Sequence, residues 1–416
     1  MALRSRRLAA VLLALAATAC GQATSAPKTS PFPGLTVTGS VLDVRGDVAV
    51  AGAHVVIWNE FDTGSANTAA DGTFSLTVDG SGSASYLRVT HAGYRPYQAT
   101  VSVTSTSTST GARRIVSKDE ILFSTVGGDI YMIRAGGGGA LIPIAATGDS
   151  EVSPARDESG LNLRWADTTS GKVMEAAWDG SGARAVWTAP AGSSIISLAW
   201  APRATFVWTN NGSADAVVMA GEPSGAPSGF NYTWAGIQPD ASPAAFGYFG
   251  PTPISGNMLA FVKGDGIYTA FPYFTDSFLV PEKISSTITN DYYPAWSPLR
   301  ASGTLDLAFN RGYAVQATRV SASGHANVWS AATHLYGGAA GQANITDIAW
   351  APETAGADDR LVLVVNPFGA GGAFGAGDLI VLSWDPVARA VTSGPTLLYG
   401  ASGAGAVGKA SNVSWR

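Results

Sequence analysis

Few side chains in this 416-residue chain have the types and spacing for chemistry. The four histidines are His54, His91, His325 and His334, and the one cysteine is Cys20. His54 opens an alternating run and His91 precedes a Gly-Tyr turn, which makes both structural. His325 and His334 lie nine residues apart with no acidic partner at metal-ligand spacing. No Gly-x-Ser-x-Gly, His-Glu-x-x-His or phosphate-loop pattern occurs, and no calcium loop. The run Gly136-Gly-Gly-Gly139 lies between two strand-like segments and lacks the following helix that phosphate binding needs. The expectation is no metal, no cofactor and no catalytic residue that sequence alone can name.

Acidic and aromatic residues remain. Asp149, Asp291 and Asp347 each stand just before an expected first strand of a repeating unit. Placed at one mouth of a ring, they could hold a cation or a basic group. The simpler reading is that each caps a turn between units by accepting backbone N–H bonds. Tyr273 and Phe274, in the long loop from Pro272 to Pro281, are candidates for an exposed contact patch. These five residues are the candidate ligand-binding set.

The elements that must position them repeat. Trp200-Ala-Pro202, Phe249-Gly-Pro251, Trp296-Ser-Pro298 and Trp350-Ala-Pro352 read as copies of one motif. Val152-Ser-Pro154 reads as a weaker copy and Trp415-Arg416 as a last one. The steps between copies are 48, 49, 47, 54 and 65 residues, a period of a propeller or solenoid. Short apolar or alternating runs follow each copy: Leu305–Phe309 then Ala317–Ser321, for example, and Leu361–Val365 then Leu379–Trp384. Runs this short, rich in Val, Ile, Phe, Tyr and Trp and bounded by Gly, Asn, Asp and Pro, read as strands. Four strands per unit make a propeller blade.

The two ends of this region complement each other. Ile121–Val126, Asp129–Arg134 and Ala140–Ala145 supply three strands of a blade without its first strand, and Ser411–Trp415 supplies a first strand without a blade. Joining them gives six blades and removes two exposed sheet edges. The segment Asp291-Tyr-Tyr-Pro-Ala-Trp-Ser-Pro298, with Gly128-Asp-Ile-Tyr131 and Asp265-Gly-Ile-Tyr268, resembles the TolB-like family of propeller repeats over residues 117–416. The Asp-Gly that follows Ser-Pro in that family is replaced here by Leu299-Arg300 and Glu353-Thr354. The resemblance implies a propeller and favours a protein partner.

Residues 1–20 carry Arg4, Arg6 and Arg7, then an apolar run from Leu8 to Ala17, the pattern of an export signal. Ala17-Thr-Ala-Cys20-Gly resembles a bacterial lipobox, which implies acylation of Cys20 and membrane anchoring; a plain secretory signal ending near Ala19 is the alternative. Residues 21–34, with Pro27, Pro31 and Pro33, read as a tether. Residues 35–104 alternate strongly and predict a small antiparallel β-sandwich. Gly39-Ser-Val41, Gly52-Ala53, Thr68, Asp71-Gly-Thr-Phe-Ser75 and Gly93-Tyr94 resemble the carboxypeptidase regulatory-like (transthyretin-like) domain, an accessory module without catalytic residues. Residues 105–116 read as a Ser/Thr-rich linker.

The sequence therefore predicts an all-β chain: a β-sandwich, then a six-bladed β-propeller closed by the C-terminal strand. Hydrophobic residues make up 46% and charged residues 13%, as in a folded protein. A net charge of −5 excludes the basic footprint of a nucleic-acid binder. The expected role is a monomeric, exported, lipid-anchored binding protein with an envelope protein or glycan as partner. The alternatives are a hydrolase or lyase on a glycan or peptide with an acidic pore-mouth site, and a purely structural surface protein.

Overall fold

The computed structural model describes residues 34–59, 63–78, 84–103, 107–137, 139–145, 151–156, 161–201, 204–210, 215–220, 233–234, 245–248, 257–263, 266–270, 282–284, 291–298, 304–323, 326–330, 332–337, 344–351, 358–366, 374, 376–402 and 406–415. Among them every regular element is a strand. Strict alternation of apolar and polar residues sets the first part. In Thr73–Val78 the buried residues are Phe74, Leu76 and Val78, with Thr and Ser between them on the exposed face. Period-2 patterning of this kind buries one face of a strand.

Two sheets share that buried face. One has the order Thr73–Val78, Leu35–Asp43, Ser107–Ile115; the other runs Thr63–Asn67, His54–Trp58, Ala84–Thr90, Tyr97–Ser102. Val37, Val41, Val55, Ile57, Leu87 and Val89 are fully buried between them. Gly72 has φ +77, and a Cβ there would stand 2.6 Å from the Val41 carbonyl oxygen, so the turn after Asp71 needs glycine. The buried Thr68 hydroxyl donates to the Val50 carbonyl at 2.6 Å and accepts from the Ala53 amide at 2.8 Å. His54 bonds Asn67 and His91 bonds the Gly93 amide, both local contacts.

The stretch read as a linker differs. Ser107–Ile115 is a strand that pairs in parallel with Leu35–Asp43, so the sandwich is not purely antiparallel. β-branched Thr suits an edge strand whose outer face meets water, and the buried Ile115 anchors its end. Composition alone marks this stretch as polar chain. The pairing that fixes it comes from a strand some 70 residues earlier, as in the Thr110 hydroxyl bond to the Thr38 carbonyl (72 residues apart).

The second part is six sheets of four or five strands. The first has the order Ile142–Ala145, Ile130–Arg134, Glu120–Thr125, Ala410–Ser414, so the last strand of the chain completes the sheet begun some 290 residues earlier (Ser124 to Ser411, 287 apart). The innermost strands are Glu151–Arg156, Ser194–Ala201, Ala245–Tyr248, Asp291–Trp296, Asn344–Trp350 and Ala410–Ser414. Each packs on the next, and the last packs on the first. That closed circle is a propeller, as expected. The fifth sheet carries an extra strand, because Ala314–Ser323 pairs with both Ala326–Trp329 and Thr333–Gly337.

The Trp-x-Pro motif acquires a physical reason. Trp296, Trp350 and Trp415 are almost wholly buried at the ends of inner strands. The Trp350 indole N–H donates to the Ala295 carbonyl of the neighbouring sheet at 2.9 Å. After Trp296, the Ser297 hydroxyl accepts from the Asp306 amide at 2.8 Å. Asp306 has no exposed surface; it takes a two-pronged bond from Arg319 at 2.8 and 3.0 Å and one from the Trp384 indole at 3.2 Å. We expect Asp306→Ala to lose about 3–5 kcal/mol of stability, because Arg319 keeps its charge and loses its two-pronged carboxylate partner, and the buried Trp384 indole loses its acceptor. A urea titration checks this; a shift below about 1 kcal/mol would sink the assignment.

The sandwich seats on one face of the ring through buried charge. Arg45 bonds Glu120 at 2.7 and 2.9 Å, and Arg134 of the ring bonds both Glu120 and Asp43 at 3.2 Å. Glu120 is 1% exposed. The Tyr94 hydroxyl donates to Asp43 at 2.9 Å, and burial together with that carboxylate pushes the phenol up to about 12. Arg95 donates to the carbonyls of Glu120 and Trp415 and stacks 4.1 Å over Trp178. It thereby ties the sandwich to the first and second sheets and to the closing strand.

Candidate binding mouth of the ring

The sandwich contacts lie where the inner strands end, among Trp415, Glu120 and Trp178. The opposite face holds the inner-strand starts and the turns between second and third strands. There the Val126 amide bonds the Lys409 carbonyl and the Glu151 amide bonds the Gly128 carbonyl. Three of the exposed large apolar side chains among the described residues, Val126, Tyr292 and Tyr313, belong to strands or turns at this opposite face.

Five of the six inner strands are irregular at matching places. Register shifts fall between Val152 and Ala155, Ile195 and Ser197, Tyr292 and Ala295, Ile345 and Asp347, and Ala410 and Asn412. A bulge adds a residue, bends the strand and re-aims a side chain, and such bulges gather beside functional sites. Counting back three residues from the terminal Trp gives one position per strand: Ser197, Tyr293, Asp347 and Asn412. The second sheet supplies Ser153, because Arg156 pairs with Leu163 as Trp296 pairs with Leu307. The corresponding position of the fourth sheet lies outside the described residues.

This register corrects two copies of the repeat. Val152-Ser-Pro154 corresponds to Tyr292-Tyr-Pro294, with Ala155 matching Ala295. It is the bulge, not the Trp-x-Pro end. In the fourth sheet Phe246 pairs with Leu259 as Trp296 pairs with Leu307, so Phe246 takes the Trp place; Phe249 lies outside the described residues. Spacing misled because the loops between sheets vary in length while strand pairing does not. Ser153 and Tyr293 share positive φ, 52° and 55°, immediately before proline. Non-glycine residues held there store strain.

Tyr293, Asp347 and Asn412 meet across three neighbouring inner strands. One Asp347 carboxylate oxygen accepts the Ile348 amide at 2.9 Å and the other accepts the Val413 amide at 2.8 Å. The Asn412 side chain also donates to it. Asp347 is 8% exposed. Burial is the largest influence on it, and the three donors only partly offset that, so its pKa rises from 3.8 to about 7. Burial, then the nearby Asp347 charge, then Tyr292 raise the Tyr293 phenol. The Tyr292 and Tyr293 rings lie 6.1 Å apart at 48°. The Ser153 hydroxyl oxygen is buried without a hydrogen-bond partner. Among the described residues no three His, Cys, Asp or Glu side chains come together to hold a metal ion.

Of the residues expected from sequence, Asp347 is at this site. Asp291 opens its inner strand, paired in register with Arg311. Asp149, Tyr273, Phe274 and Cys20 lie outside the described residues. Sequence reading missed Ser153, Tyr293 and Asn412. The signal was present: Ser153-Pro-Ala155 and Tyr293-Pro-Ala295 repeat, and Asp347 and Asn412 each stand three residues before a tryptophan.

No family model matches the chain, and no curated protein matches it. Solved structures do. A structure of the nidogen/laminin complex is 11% identical with a TM-score of 0.45, over 71% of this chain and 97% of that one. TolB from Acinetobacter baumannii is 9% identical with a TM-score of 0.38, over 61% of this chain; this chain spans 64% of TolB, less than two thirds of its length. An auxiliary nutrient binding protein from Bacteroides thetaiotaomicron is 10% identical with a TM-score of 0.38, over 92% of this chain and 93% of that one. At such values the fold rests on the strand pairing of the chain itself.

Proposed function

We propose that this is an exported binding protein, anchored through acylated Cys20, that offers a protein or glycan partner the mouth of the ring opposite its sandwich. Residues 35–116 form the accessory module and residues 117–416 the binding module in this reading. One observation carries it: the sandwich occupies one face of the ring with buried Arg95 and Glu120, while the bulged positions and exposed tyrosines belong to the other. The sandwich strand Leu35–Asp43 supports the orientation. Its Asp43 end contacts the ring, so its Leu35 end, nearer the proposed anchor, lies about 25–30 Å away along the strand. An anchored chain would then hold the open mouth outward.

Two measurements test this. Cys20→Ala is expected to move the protein from the membrane to the soluble fraction of cells. Unchanged fractionation would leave a secretory signal without an anchor. A photo-crosslinking residue at Val126 or Tyr313 should yield a discrete adduct in intact cells, and one at Val387, 89% exposed in a turn on the sandwich side, should not. Adducts at Val387 alone would reverse the face.

A further inference from the structure

We infer that the open mouth takes an organic cation, an alkylammonium group held between the Asp347 carboxylate and the faces of Tyr292 and Tyr293. The inference rests on the binding reading above and names the chemistry of its ligand. Several other buried carboxylates among the described residues have guanidinium partners. Glu120 has Arg45 and Arg134, Glu175 has Arg164 and Arg184, and Asp306 has Arg319. Asp347 has only amide donors: Ile348, Val413 and the Asn412 side chain. A buried carboxylate without a countercharge is an unbalanced site, and a cation brought to it restores the balance.

The neighbouring groups select the kind of cation. Tyr293 is in electrostatic contact with the carboxylate, and the ring of Tyr292, 38% exposed, lies 6.1 Å from that of Tyr293. Ring faces attract ammonium groups, and cages of aromatics bind them in preference to small metal ions. A calcium ion would need six or more oxygens, which one carboxylate, one carboxamide and a phenol do not supply. The Ser153 hydroxyl, at the equivalent bulge two inner strands away from Asp347, is buried and unpartnered. It offers a further acceptor to an N–H donor.

Ligand-observed NMR on the full chain tests this with four probes: choline, acetyl-Gly-Lys-Gly-amide, its neutral norleucine counterpart, and a chitin oligosaccharide. Choline or the lysine peptide should bind and the norleucine peptide should not. Binding of choline points to a small free ammonium compound as ligand; the lysine peptide alone points to a protein side chain. Asp347→Asn should weaken binding at least tenfold and Tyr292→Ala severalfold, while Asp179→Asn, on a turn at the sandwich side, changes nothing. The groups against Asp347 are the Ile348 and Val413 amides, the Asn412 carboxamide and the Tyr293 phenol. Affinity should therefore rise about tenfold from pH 6 to pH 8 as this one carboxyl ionises. Equal binding of the norleucine peptide, or cation binding unaffected by both substitutions, would overturn the inference. Oligosaccharide binding lost in Tyr292→Ala would overturn it too, yet keep the open mouth as the binding face. Failure of all four probes, together with adducts confined to Val387, would remove both.

Discussion

A chain ending at Lys409 should not form the native ring. The missing strand, Ala410–Ser414, pairs with Glu120–Thr125 and packs against the inner strands on both sides. Trp415, with no exposed surface, goes with it. So do the Val413 amide that Asp347 accepts, the carbonyl that Arg95 bonds and the ring 4.8 Å under Arg360. Replacing Trp415 alone by Ala should cost about 3–5 kcal/mol, the range for a buried large side chain. Losing the whole strand removes several such contributions from a total stability of about 5–15 kcal/mol. It also bares the edge of Glu120–Thr125, a fully buried strand that would pair with other chains. The expected result is loss of near-UV circular dichroism and a shift to large species on size exclusion. A synthetic peptide of residues 408–416 added during refolding should recover part of the monomer. A truncated chain that stays monomeric with an unchanged melting temperature would mean that this strand does not close the ring.

That closure is legible in the amino-acid sequence because strand patterning is local. Three strands lacking a first and a first strand lacking three can be counted from Ile121–Val126 and Ser411–Trp415 with the runs between. The inner-strand tryptophans are legible for the same reason, each being a large residue that ends a short strand-like run. What stays hidden depends on pairing. Ser107–Ile115 reads as polar linker because its stability comes from the strand beside it and not from its own composition. The bulges stay hidden because one extra residue in a strand is visible only against a partner. Without them, Ser153 and Tyr293 are ordinary residues before proline. The inter-domain contacts hide for a third reason. Arg95 and Glu120 are charged residues, and nothing in sequence marks a charged residue that is buried where the sandwich meets the ring.

Asp347 alone was legible as a candidate, and its titration should be visible in stability. Its carboxyl is raised to about 7 in the folded chain, against 3.8 when exposed. Between those values the folded protein holds a proton that the unfolded chain releases, so stability falls as pH rises from about 4 towards 8. A shift of about three pH units corresponds to roughly 4 kcal/mol at most. In Asp347→Asn this loss disappears. The substitution has its own cost, because a carboxamide oxygen can replace only one of the two carboxylate oxygens that accept the Ile348 and Val413 amides. An amide left without an acceptor costs about 1–3 kcal/mol at any pH. The two proteins should therefore cross: Asp347→Asn less stable than the parent at pH 5, and equal or more stable at pH 8. Urea midpoints at the two pH values measure this, and contributions from every other titrating group cancel in the comparison. Parallel profiles would mean that Asp347 is ionised in the folded chain throughout. Burial would then be offset by a positive charge already beside it, and the case for an incoming cation would fall with it.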